Sequence, residues 1–482
     1  MKRIINTIKS PVLVLLLLIC VSCNDWLTLE PENKLVKQEF WQSKEDVAAV
    51  VAAMYDGYRE CSQDLWMWGE IRADMALLNS STFSGFQQIA SGEILPTNSS
   101  ISWSKFYSAI NLANTIMVFS DDVLALDETF EVKTQKAYEA EALFIRAKAY
   151  FDLVRIWKEV PLIVEASTAD TVKFSVPKST EEEIIRQIEK DLVKAKTTAW
   201  VDEYASQPDM YKGRANIYAM NALLADVYLW SEQYQKCIEV CDEIIQSQRF
   251  QLQPANNWFE LYYPGNAPES IFEIQFNDAL ENEENPFNVN VIPAVGTSKV
   301  DLSPYAKELF GITDIRQGDP DPRSKYQYTS LTPKTKRTTA ERDANMIYYR
   351  YADILLIKAE AHAELGQFTE ANFYINEIMQ RALVPTLNIE PNITIFRNII
   401  LSERAREFAL EGKRWFDVLR FAKRNNFENK SLIIQMILSG ADVKQRPILQ
   451  SKILDPMSYY LPIPQGELDT NPMLVQNPYY DR

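Results

Sequence analysis

Histidine occurs once in the 482 residues, at His362, and glycine only 13 times. One imidazole leaves no multi-histidine metal centre, and any Ser-His or Cys-His nucleophile would have to use His362. Cysteine is scarce as well: Cys20, Cys23, Cys61, Cys237 and Cys241. The four from Cys23 onward contain no CxxC and no spacing of a disulfide scaffold. Cys237 and Cys241 stand four apart, on one helix face, but no further Cys or His completes a zinc site, so both read as small core hydrophobes. Positive charge is in deficit: 50 Lys and Arg face 66 Asp and Glu, a net charge of -16. Such a chain is poorly suited to nucleic acid or to an anionic lipid surface. GxSxG, Walker, HExxH and EF-hand patterns are missing too. No cofactor, resident metal or catalytic apparatus is expected.

Aromatic residues are abundant instead, with 10 Trp, 23 Tyr and 22 Phe. At the N-terminus, Lys2, Arg3 and Lys9 flank an apolar run, Pro11 to Ser22. It is short of the ~20 residues that span a bilayer and suits a secretory signal peptide. Ser22-Cys23 resembles a bacterial lipobox, with Cys20 where leucine is usual. On that reading residues 1–22 are a lipoprotein signal peptide, Cys23 carries the lipid, and 23–42 form a polar tether. The competing reading is an ordinary signal peptide with an incidental cysteine. No later stretch has 18 uninterrupted apolar residues, so no further transmembrane helix is expected.

From residue 43 to 482 the chain reads as one domain. Ser43 caps a helix through Asp46–Tyr55, and Thr180 with Glu183 forms a capping box opening a helix toward Thr198. Helical periodicity also marks Trp103–Phe119 and Lys136–Trp157. Residues 61–100 and 250–345 break it, and both read as loop-rich excursions, the second with a β-like run at Ser270–Phe276. ADVYLWSEQYQKCIEVCDEII (Ala225–Ile245) and AEAHAELGQFTEANFYINEIM (Ala359–Met379) align without a gap. A small residue, an aromatic nine further on and a small residue three beyond that is the packing pattern of a tetratricopeptide helical hairpin. The alignment sets His362 opposite Tyr228, on a buried face. The expected fold is mainly α: a tetratricopeptide-like hairpin scaffold with a large irregular insertion and a few short strands.

Glu403, Glu407 and Glu411 follow one another at four-residue steps. A glycosidase needs carboxylates facing each other across a cleft, which one helix face does not supply. Interleaved Arg404, Arg406 and Arg414 make ion pairing the simpler account. The acidic stretch TDIRQGDPDPR holds Asp314, Asp319 and Asp321 but lacks the spacing of a calcium loop. For binding, Trp66 and Trp68 would face the same side of an extended chain and form a platform for the C–H faces of a sugar. Asp74, Asn79 and Gln87 are polar neighbours, Phe83 and Phe86 further rings. The second excursion adds Phe287, Tyr305, Tyr326 and Tyr328. For each ring the competing reading is a core plug.

KAYEAEALFIRAKAYFDLVRIWKEVPLI (136–163), NMIYYRYADILLIKAEAHAELGQF (345–368), LSERAREFALEGKRWFDVLR (401–420) and YYLPIPQGELDTNPMLVQNPYY (459–480) together resemble the SusD/RagB family. That resemblance implies a non-catalytic outer-membrane lipoprotein, exposed on the cell surface, that binds an oligosaccharide or polysaccharide and hands it to a SusC-like TonB-dependent transporter. A peptide-capturing lipoprotein and a transporter lid with no ligand of its own are the alternatives.

Overall fold

Ser43 donates both its N–H and its hydroxyl to the Asp46 carboxylate, each at 2.8 Å. This reciprocal cap starts helix α1 (Lys44–Arg59) and satisfies groups that a helix start otherwise leaves open. The computed structural model describes residues 40–79, 83–167, 175–277, 284–293, 295–441, 443–444 and 446–481. The expected leader, Cys23 and most of the tether lie outside them.

After α1 come α2 (Ser62–Glu70), α3 (Ser84–Ala90), α4 (Ser104–Leu126) and α5 (Val132–Trp157). The first excursion is therefore less irregular than its polar composition predicts: two helices occupy much of it. α4 is long and apolar enough to cross a bilayer by length and composition. Here its apolar side, including Phe106, Ile110, Ala113 and Ile116, is buried against α1 and α5. The capping box at Thr180 opens α6 (Glu181–Lys196): Glu183 N–H donates to Thr180 Oγ1, and Thr180 N–H to Glu183. A single turn, α7 (Pro208–Gly213), precedes the first repeat hairpin, α8 (Ile217–Trp230) and α9 (Tyr234–Gln246).

The second hairpin is α10 (Tyr351–Glu364) and α11 (Phe368–Arg381), followed by α12 (Ile393–Glu407) and α13 (Arg414–Phe427). Small residues do what the repeat predicts. Ala225, Cys237, Ala359 and Ala371 are fully buried, and Cys237 Sγ comes within 3.3 Å of the Ala225 carbonyl. Separated in sequence, the hairpins meet in space through α9 and α10. His362 is buried, its Nδ1 2.6 Å from Gln367 Oε1 and its ring stacked on Tyr374. Burial holds its pKa below the ordinary value, as a structural histidine requires.

Strands are short and paired in twos. β1 (Ala76–Leu78) pairs antiparallel with β5 (Val300–Leu302), and β2 (Val160–Pro161) with β3 (Lys178–Ser179). β4 (Ser270–Ile274) pairs with β8 (Met346–Arg350), and β6 (Tyr328–Leu331) with β7 (Lys334–Lys336). One hydrophobic cluster runs through this whole arrangement, from Trp41 to Leu474.

Candidate functional site

The bulged β4–β8 ribbon is anchored on the helices at Arg350 and leads outward to a concave face. There the C-terminal end of β4, the turn Tyr263–Asn266, α7 and one flank of α1 enclose an open groove of about 790 Å³. The turn has a cis Tyr263–Pro264 bond, and Gly265 and Asn266 both take positive φ, +82° and +54°. Gly and Asn are the residues that accept this conformation with least strain. The opposing flank of α1 brings Ala48, Val51, Ala52 and Ala53 to the groove together with Tyr55, Asp56 and Arg59, and Gly213 of α7 leaves room for the Gln275 side chain.

A rack of amides lines the floor. Asn266 and Gln275 exchange two hydrogen bonds, at 3.0 and 2.8 Å. Asn345 donates to Glu273 at 2.8 Å and to Gln275 at 3.0 Å, and accepts from Phe276 N–H at 3.1 Å. Each carboxamide offers two donor hydrogens and two acceptor sites. The half-buried amides of Asn266 and Gln275 thus keep donor capacity, and Asn345 keeps acceptor capacity, fixed in position by their mutual bonds. Tyr263 and Phe276 supply rings beside them. Burial raises the Glu273 pKa, with Ser270 and Asn345 hydrogen bonds opposing.

The arginines of the groove are each paired with a carboxylate. Arg59 meets Asp56 at 2.5 Å, and Arg337 meets Asp343 at 3.2 Å. Arg214 grips Glu141 through Nε at 2.9 Å and Nη2 at 2.5 Å, and its Nη1 bonds Tyr204 at 3.1 Å. Glu141, behind the groove, also accepts from Tyr55 and Trp200, each at 2.7 Å.

The aromatic platform expected from residues 61–100 does not form. Trp66 and Trp68 lie on α2, where neighbours two apart point to different faces, and both are buried. Trp66 donates to the Leu410 carbonyl at 2.7 Å and packs on Phe287; Trp68 donates to Ser100 at 3.0 Å and packs on Phe106 and Trp157. Phe287 and Tyr326 belong to the same interior, Tyr326 donating to Leu410 at 2.8 Å. Tyr328 is buried on β6, and Phe86 is buried against half-buried Phe83. Asp74 is buried against Arg414 at 2.8 Å, beneath half-buried Tyr305. These positions fill the core because tightly packed aromatics bury the most area per residue. Asn79 stays at the surface, bonding Asp301 at 2.9 Å, and Gln87 is half-buried on α3. Of the two excursions, the second does line the groove, but through Tyr263, Asn266, Gln275 and Asn345. The turn sequence Tyr-Pro-Gly-Asn was the available signal for that wall.

The three glutamates are structural, and their partners are mostly not those adjacent in sequence. Arg316 binds Asp314, Glu403 and Glu407; Arg350 binds Glu269, Glu407 and Glu411; Arg381 binds Glu269 and Glu407. Local pairing is limited to Arg406 with Glu403 at 2.6 Å and a looser approach of Lys413 to Glu411 at 3.9 Å among the described residues. Burial works to raise the Glu411 pKa, yet Arg350 and Lys325 hold it down at about 2. The three aspartates considered for calcium are each taken by a cation: Asp314 by Arg316, Asp319 by Lys334 and Asp321 by Arg323. Among the described residues no group of three or more His, Cys, Asp or Glu side chains is placed to hold a metal ion.

Comparison with known families covers residues 25–480. Residues 228–480, slightly more than half of it, match the SusD family, and residues 25–229 match a family described as starch-binding and associating with the outer membrane. This chain belongs to the SusD family. SusD-like protein P38 of Formosa agariphila is 26% identical with the whole of both chains covered. A SusD-like protein of Bacteroides ovatus is 32% identical over 47% of this chain and 40% of its own. A SusD superfamily structure from Bacteroides vulgatus superposes with a TM-score of 0.75 at 22% identity, covering 91% of this chain and all of the other. A laminarin-binding SusD-like protein gives 0.69 at 22% identity, with 91% and 99% covered. The SusD-like fold is thus mainly α, as the sequence pattern implies.

Proposed function

We propose that this SusD-family protein captures an oligosaccharide or polysaccharide in the groove between α1 and the β4–β8 ribbon. It does so without cleaving it. It then passes the glycan to a SusC-like TonB-dependent transporter, while held at the cell surface by a lipid on Cys23. The observation that carries this reading is the prearranged amide rack beside the half-buried ring of Tyr263. Sugars present apolar C–H faces for rings and dense hydroxyls for amides, and groups already fixed in place lose little entropy on binding. The family's description as starch-binding and outer-membrane-associated, and the laminarin-binding neighbour, support the ligand class. The saturation of Glu403, Glu407 and Glu411 by arginines supports a binding rather than a catalytic role.

Affinity electrophoresis and calorimetry against laminarin, starch, xylan and a peptide mixture test the ligand. Wild type is expected to bind a glycan without releasing reducing ends, and Tyr263→Ala with Asn266→Gly, which keeps a residue tolerant of positive φ, to weaken that binding while the protein stays folded. Binding of peptides alone would reject the glycan assignment. Fatty-acid labelling that is equal in wild type and Cys23→Ala would reject the anchor, and failure to co-purify with a transporter from native membranes would reject the delivery step.

A further inference from the structure

Resting on the groove reading above, we infer that its ligand is an uncharged, hydroxyl-rich glycan and that uronate-bearing and sulfated glycans are refused. Three cations line the groove, Arg59, Arg214 and Arg337, against three carboxylates, Asp56, Asp209 and Asp343. The lining is neutral, and Glu141 and Glu273 stand directly behind it. A site for anionic sugars needs guanidinium forks or ammonium groups with donors to spare. In Arg214 and Arg337 the donors are largely committed. Arg214 uses Nε, Nη1 and Nη2 on Glu141 and Tyr204. Arg337 spends Nη1 on Glu341 and Asp343, at 3.3 and 3.2 Å, and Nη2 on Tyr262 at 2.8 Å. Its Nε has no partner among the described residues, but that atom is buried beneath the surface. Arg59 is tied to Asp56.

An entering carboxylate or sulfate would meet three acidic side chains and guanidinium groups each already paired with a carboxylate, on a protein of net charge -16. Displacing Asp343 from Arg337 would leave one of the two anions unpaired at a half-buried position, a cost no sugar hydroxyl imposes. The amide rack has the opposite character: neutral donors and acceptors at fixed spacing, matched to hydroxyls and indifferent to salt.

The test is calorimetry of the full chain with laminarin, starch and arabinoxylan as neutral probes and polygalacturonate, alginate and chondroitin sulfate as acidic ones, at low and high sodium chloride. Binding confined to neutral probes, insensitive to salt and weakened about tenfold or more by Tyr263→Ala, supports the inference. Asp343→Asn, which removes the carboxylate paired with Arg337, is expected to admit an acidic probe in a salt-dependent way. Acidic-glycan binding by wild type that Tyr263→Ala abolishes overturns the inference while leaving the groove in place. No glycan binding at all, or binding that Tyr263→Ala leaves untouched, overturns the groove reading itself and the inference with it.

Discussion

Gly69 and Gly412 lie backbone against backbone: a methyl group added to Gly69 would sit 1.9 Å from the Gly412 carbonyl oxygen. Gly412 in turn has a φ of +75° and faces the Cα of Trp66, so neither position accepts a side chain. This contact locks α2 onto the turn after α12, and the Leu410 carbonyl beside it receives both Trp66 and Tyr326. Gly69→Ala is expected to destabilise the protein by about 4 kcal/mol or more, because rigid backbone must move. Gly466→Ala, in open space, should stay within about 0.5 kcal/mol of wild type. Urea denaturation of the two variants in parallel makes the comparison.

Next to this contact, Glu70 is fully buried and accepts from Gly412 N–H at 2.8 Å through one oxygen, while its other oxygen has no partner among the described residues. Burial drives its pKa up to about 8, against the pull of the Gly412 N–H. In the unfolded chain the same group ionises near 4.5. Between those two values the folded state holds a proton that the unfolded state has lost, so stability falls as pH rises across that window. The loss attached to this group approaches 5 kcal/mol, roughly, by the upper end. Buried Lys148 and Lys212 also titrate near 8, but stay protonated in both states lower down and add no slope there. Glu70→Gln is therefore expected to gain on wild type steadily from pH 5 to pH 8, as read by urea midpoints at each pH. A constant difference across that range would reject the assignment.

Arg350 occupies the centre of the buried ionic network, fully inaccessible and in contact with Glu269, Glu407 and Glu411. Its guanidinium also donates to the Glu407 carbonyl at 2.7 Å. Such a cluster contributes little net stability against an apolar replacement of the whole set, but removing one member strands the others. Arg350→Ala should cost about 3–5 kcal/mol or prevent folding. Arg186→Ala, whose pair with Glu182 is exposed, should cost less than about 1 kcal/mol. Thermal melts of both variants distinguish an interior network from surface ion pairs.

Much of this scaffold was legible in the chain because its signals are local. A capping serine or threonine announces α1 and α6, and the small–aromatic–small spacing of Ala225–Ile245 and Ala359–Met379 fixes two hairpins. The same rules failed at residues 61–100, where polar residues and aromatics alternate without a clean period. α2 nonetheless forms, because Trp66 and Trp68 gain more from burial against Phe287 and Trp157 than any local preference could oppose. The groove was hidden for the converse reason. Its floor joins Asn266 and Gln275, nine residues apart across the turn into β4, to Asn345, some 70 residues further on, which only the β4–β8 pairing brings alongside. The ionic partners of Glu403, Glu407 and Glu411 were hidden likewise, since Arg316, Arg350 and Arg381 come from three separate elements.

That division between core rings and groove rings gives a prediction in which stability and binding separate. Trp66 and Trp68 are 1% and 2% exposed, and each spends its indole N–H on a backbone carbonyl. Truncating either removes a large buried volume and leaves an acceptor unpaired, so Trp66→Ala and Trp68→Ala should each cost about 3–5 kcal/mol. Tyr263 instead stands at the groove wall, its hydroxyl bonded to Glu341 at 3.1 Å and its ring under the Arg337 guanidinium at 5.0 Å. Tyr263→Ala, which gives up one hydrogen bond and one cation–π contact, should cost about 1–2 kcal/mol, less than either tryptophan, while reducing glycan affinity. Whatever folded fraction of the tryptophan variants survives should bind with wild-type affinity, because neither ring reaches the groove. Calorimetry on the folded fraction, isolated by size exclusion, decides it: weakened binding there would return Trp66 and Trp68 to the ligand surface.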